Sequence, residues 1–192
     1  KTSDVWNFVI LVLFLLVILC SGQNIDGNYR EVIICGATIA VLCVLLGINM
    51  WIGVDFYKFT FLFIVLVGSL SLMIQPILNV PDEVAHFARA ESVSRGNIIV
   101  DSEQTEYETI QSVLDLRDNV KTPYISSTIK EQKIDYTAAK IGHIAASNAS
   151  FLYFPQAIGI LIAKILRLDV MWMLWLARFG NLLCYSISIG LA

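Results

Sequence analysis

Apolar residues in this chain gather in long unbroken runs, not at the spacing of a half-buried helix or strand. Residues 5–20 carry a single polar side chain, Asn7, and residues 32–52 and 56–77 form two further runs. Each of the last two matches the roughly 20 residues that a helix needs to cross a hydrocarbon core about 30 Å thick. The polar link at 21–31 reads as a turn. One lysine precedes the first run and further runs follow it, so 5–20 is expected to be a retained transmembrane helix and not a cleaved leader. Two more apolar stretches cover 151–168 and 170–192. Between them and the first three lies a polar segment, 78–150, with eleven acidic and seven basic residues.

This pattern predicts an all-α, polytopic membrane protein with about five transmembrane helices and a mainly helical insertion. The expected organisation is two N-terminal spans in 1–55, a span at 56–77, the insertion at 78–150 and two further spans in 151–192. The chain starts without methionine and stops inside an apolar run, so it is expected to be part of a longer protein.

Within the insertion, Pro81 suits the first position of a helix, with Asp82 and Glu83 in the first turn, where the dipole favours anions. Gly96 is its expected stop. A second helix is expected over 106–118, opened by a capping box of Thr105 and Glu108. Thr122-Pro123 reads as a break, and a third short helix is expected over 135–146. Short-loop cations set the orientation. With the N-terminus inside, Lys1, Lys58, Lys164 and Arg167 lie on the cytoplasmic side and Arg30 lies outside. The insertion is then extracytoplasmic, and Lys164 and Arg167 are anchors at the far interface.

Composition agrees: 57% of residues are hydrophobic and the mean hydropathy is +0.71, above the range of ordinary soluble domains. A net charge of −3 makes no case for nucleic acid. The four cysteines lie in apolar runs without metal-ligand spacing, which fits small buried hydrophobes.

Candidate chemistry concentrates in residues 79–91, NVPDEVAHFARAE. On a helix starting at Pro81, the residues Asp82, His86 and Arg89 share one face, with Glu83 beside them. Two readings fit. The carboxylates are capping and dipole chemistry, with Arg89 paired to Asp82; or a carboxylate at the membrane rim is a general base or metal ligand, with His86 or Arg89 handling a phosphate. Tyr153, Trp172 and Trp175 read as interfacial or packing aromatics. Arg178, inside the last run, reads as a structural cation near the inner leaflet that snorkels or binds a helix end.

The stretch QPILNVPDEVAHFARAESVSRGN resembles the signature of the bacterial membrane-protein family known as domain of unknown function 2142, which is similar in plan to the GT-C glycosyltransferases. Tyr153-x-Pro155 and Leu176-Ala177-Arg178-Phe179 resemble the openings of later core helices in such proteins. The resemblance covers roughly residues 60–192 and is most specific at the PDE stretch. It implies a multi-pass enzyme of the bacterial cytoplasmic membrane. Such an enzyme takes a sugar from a polyprenyl-phosphate donor and passes it to a glycan or glycolipid acceptor on the outer face. By it, Asp82 or Glu83 is the catalytic base, and His86 and Arg89 orient that carboxylate or bind the donor phosphate. An acidic pair is compatible with Mg²⁺- or Mn²⁺-dependent transfer and with metal-free transfer alike. The rival reading is a non-enzymatic scaffold in surface-polysaccharide assembly or export.

Overall fold

The computed structural model describes residues 55–101, 106–123, 127–129 and 131–191, with isolated positions between 36 and 53. The spans expected over 5–20 and 32–52 therefore lie outside the described residues, apart from those positions, as does Thr105 of the expected capping box. The chain divides into two compact units, one of Lys1–Leu70 with Ser186–Ala192 and one of Ser71–Tyr185.

The described elements run α1 (Phe56–Ile74), α2 (Glu83–Ser94), β1 (Glu106–Ile110), α3 (Gln111–Asp118), β2 (Ala138–Gly142), a 3-10 turn (Ser150–Tyr153), α4 (Phe154–Ile165) and α5 (Val170–Leu191). Two of these helices, α1 and α5, are long and apolar enough to cross a membrane. In the first unit, Gly190 of α5 faces the Phe61 ring of α1.

The second unit is built around α2. Residues Phe87–Val93 are buried without interruption, so this helix is enclosed on all sides, although it carries Arg89 and Glu91. It opens two residues later than Pro81 would place it. A turn over Val80–Glu83 precedes it, closed by Glu83 N–H to the Val80 carbonyl (3.0 Å) and by Val80 N–H to Glu83 Oε2 (3.1 Å). It stops where expected: Gly96 takes a left-handed φ of 93°, and the Asn97 amide returns to the Ser92 carbonyl at 3.1 Å.

The helix expected over 106–118 is a strand followed by a shorter helix. β1, sequence EYETI, pairs antiparallel with β2, with Glu106 opposite Gly142 and Ile110 opposite Ala138. Its tyrosine, threonine and isoleucine favour a pleated surface, and cross-strand pairing wins over helix propensity. β2 likewise replaces the short helix expected over 135–146. The Gln111 amide bonds the Thr137 carbonyl (2.7 Å) and starts α3 at the edge of this sheet.

The largest departure concerns 151–168. Here α4 has 12 residues, short of the roughly 20 that a crossing needs, and both of its flanks are tied to the insertion. At the leading end, Ser150 accepts from Arg89 of α2 (2.6 Å). At the trailing end, Lys164 Nζ reaches Glu91 Oε1 (2.7 Å) and Ser94 Oγ (2.8 Å). Tyr136 donates to the Lys164 carbonyl (2.8 Å), and the Val170 amide bonds the Gln132 carbonyl (2.8 Å). Lys164 is thus the counter-ion of a wholly buried glutamate and not an anchor at a far interface. Thr109 supplies Glu91 with a further hydrogen bond at 2.7 Å. A buried carboxylate needs this saturation, because desolvation costs several kcal/mol per ion before pairing.

α4 and the first half of α5 form a tight antiparallel hairpin. A Cβ on Gly159 would run into the Leu176 carbonyl, and one on Gly180 into the Pro155 carbonyl. Because the obstacle is backbone, Gly159→Ala is expected to destabilise the protein by about 1–3 kcal/mol through overpacking. Thermal unfolding in detergent would show this as a lowered Tm.

Candidate functional site

Within the second unit the PDE stretch meets the last turn of α1 and the α5 residue Arg178, whose hydrogen bonds define the site. The guanidinium forks onto Glu83, Nε to Oε1 at 2.7 Å and Nη2 to Oε2 at 3.0 Å. Its remaining donors reach the carbonyls of Leu72 (3.3 Å), Gln75 (3.2 Å) and Pro76 (2.9 Å). The last turn of α1 leaves carbonyls without helical partners, and Arg178 supplies donors to them while neutralising Glu83. Side-chain exposure is 8% for Arg178 and 15% for Glu83, so this is a shielded, bidentate pair. The inner-leaflet position expected for Arg178 is replaced by one beside the PDE stretch.

Asp82 differs in every respect. It is exposed, its backbone is left-handed (φ 60°, ψ 3°), and its side chain makes no capping bond. No described residue partners its carboxylate. Only its carbonyl joins the helix, accepting the His86 amide at 3.0 Å. Aspartate visits this backbone region more readily than most residues, at some cost, and such strain clusters at functional sites. The two adjacent acids are thereby divided, one neutralised and the other presented to solvent.

His86 stands one turn beyond Asp82, half-buried. Its Nδ1 lies 2.7 Å from the Tyr153 hydroxyl, with the two rings stacked at 26° and their centroids 5.8 Å apart. Asn148 Nδ2 reaches the same hydroxyl at 3.0 Å.

Arg89 is not on this face. It is 1% exposed and bonds the carbonyls of Asn97 (3.0 Å) and Ile98 (3.1 Å) as well as Ser150. Burial lowers its pKa, against weaker raising effects of Tyr153 and Tyr107. It staples the chain after α2 to the chain before α4, and neither pairs with Asp82 nor faces solvent. Among the described residues, no three His, Cys, Asp or Glu side chains converge as metal ligands; His143 is exposed.

Sequence reasoning found Asp82, Glu83 and His86 but gave Arg178, Tyr153 and Asn148 no part in the site. A signal existed for two of them. An arginine within an apolar run calls for a carboxylate, and a tyrosine hydroxyl in such a run calls for a polar partner.

The model of the predicted membrane proteins designated DUF2142 matches residues 62–192. The match takes in the whole site, and the chain belongs to that family. No curated protein and no solved structure matches it.

Proposed function

We propose that this family member is a membrane glycosyltransferase of the GT-C type, with Asp82 as its general base. The observation that carries the reading is the division of the acidic pair, in which Glu83 is held by Arg178 while Asp82 is exposed, left-handed and without a described partner. In this reading the Asp82 carboxylate takes the proton of an acceptor hydroxyl. The hydroxyl oxygen attacks the anomeric carbon of a polyprenyl-phosphate-linked sugar, and the bond from that carbon to the phosphate oxygen breaks. Polyprenyl phosphate leaves with the electron pair. A single direct displacement inverts the anomeric centre. The acceptor is a glycan or glycolipid of the cell envelope.

A lipid-linked donor calls for a site at the rim of the bilayer, and the place of Asp82 in the sequence, soon after the apolar helix α1 ends, supports this. We assign the protein to the bacterial cytoplasmic membrane with the PDE stretch on the outer face. The segment 75–169 carries no topological signal, because long segments cross regardless of charge. By sequence, this orientation assigns two short-segment cations, Lys1 and Lys58, to the inner side and one, Arg30, to the outer, the sense that the positive-inside rule favours. Arg89 has a structural role in this reading, and phosphate recognition falls to His86.

The rival, a non-enzymatic scaffold for polysaccharide assembly, draws on the structural employment of Glu83, Arg89 and Glu91. Envelope glycans from cells lacking the protein separate the two. Transferase activity predicts a glycan missing one sugar and accumulation of the corresponding polyprenyl-phosphate sugar. A glycan of unchanged composition but reduced amount would instead identify a scaffold.

A further inference from the structure

The Tyr153 hydroxyl is buried and serves two side chains at once, Asn148 Nδ2 at 3.0 Å and His86 Nδ1 at 2.7 Å. An amide NH₂ can only donate, so the phenolic oxygen accepts from Asn148. The phenol has one hydrogen, and among the described residues His86 Nδ1 is the partner placed to accept it. With that hydrogen placed between them, Nδ1 accepts and the ring carries its own hydrogen on Nε2. No described residue forms a hydrogen bond with Nε2, and the ring is half-buried one turn beyond Asp82.

We propose that Tyr153 and Asn148 are positioning residues that fix His86 as an Nε2–H donor, and that this N–H binds a phosphate oxygen of the lipid-linked donor beside Asp82. The ligand half rests on the glycosyltransferase reading; the tautomer half does not. Stacking of the phenol on the imidazole restrains the ring plane, so the N–H direction is set before a ligand arrives. As the bond to the anomeric carbon breaks, the bridging oxygen gains charge. A preorganised donor aimed at such an oxygen contributes about 10²–10³-fold in kcat, the loss expected for His86→Ala.

The chain has two histidines, which makes the test direct. His143→Asn in the full chain leaves His86 alone, and ¹⁵N-histidine labelling in phosphatidylcholine nanodiscs then reports its tautomer. The expected result is a single neutral form protonated on Nε2; protonation on Nδ1, or an even mixture, overturns the proposal. Tyr153→Phe keeps the stacked ring and removes the hydroxyl, so the preference is expected to collapse. A preserved preference overturns the role of Tyr153. If Tyr153→Phe does not fold, Asn148→Ala decides the same question, because the phenol is then released to accept as well as donate.

Farnesyl phosphate, farnesol, inorganic phosphate and phosphatidylglycerol are then added separately to the nanodiscs. Farnesyl phosphate alone is expected to shift the Nε2 resonance. No shift, or equal shifts with inorganic phosphate or phosphatidylglycerol, overturns the ligand half. An Nε2–H form unresponsive to farnesyl phosphate counts against the ligand half while the tautomer half stands, whereas an unchanged envelope glycan counts against the enzyme reading.

Discussion

Arg178→Met is expected to lower stability by about 3–5 kcal/mol, the cost of leaving a shielded charge without its partner. The substitution keeps an unbranched apolar side chain, so little packing is lost. It removes both bonds to Glu83 and all donors to the carbonyls of Leu72, Gln75 and Pro76. Arg178→Lys is expected to recover only part of the loss, because an ammonium cannot reproduce the fork on both carboxylate oxygens. Membrane abundance and thermal unfolding of the purified variants measure the effect. Normal abundance and an unchanged Tm for Arg178→Met would mean that the clasp contributes nothing to the fold.

Asp82→Asn is expected to leave the fold within about 0.5 kcal/mol of the parent, as surface substitutions usually do, while sugar transfer falls by about 10²–10⁴-fold, the contribution of a general base. Asparagine tolerates the left-handed backbone as aspartate does, so strain is unchanged. Asp82→Gly relieves the strain and is expected to be equally inactive. The pair separates chemistry from conformation, since only the carboxylate is missing from both.

The PDE stretch and the two long apolar helices were legible because their signals are local. A long, mostly apolar run announces α1 and α5 without reference to the rest of the chain, and Pro81 and Gly96 bracket α2 closely. What was not legible depends on partners distant in sequence. EYETI is too short for its alternation to outweigh a helical reading, and its strand character comes from β2, which begins 32 positions after β1 does. The run over 151–168 is apolar because one side of α4 packs into the second unit while residues such as Ile158, Leu161 and Ile165 on the other side are exposed. Composition alone does not separate that arrangement from a membrane span.

The charges misled for the same reason. Lys164 lies 73 positions from Glu91, and Arg178 lies 95 from Glu83, so neither pair has a spacing signature. Helix phasing also grouped Arg89 with Asp82 on the premise that the helix begins at Pro81. With Asp82 outside the helix and Arg89 buried against carbonyls, that face does not exist, and His86 is joined to Asp82 only through its backbone amide.

The central claim is that neighbouring acids have separate duties, with Glu83 holding the fold and Asp82 performing the chemistry. It is tested most directly by measuring thermal stability and polyprenyl-phosphate-dependent sugar transfer, per folded molecule, for Asp82→Asn and Glu83→Gln side by side. The account predicts that Asp82→Asn is stable and inactive, whereas Glu83→Gln has a lowered Tm and retains transfer in the folded fraction. Transfer at the parent rate by Asp82→Asn, or a fully stable but inactive Glu83→Gln, would contradict it.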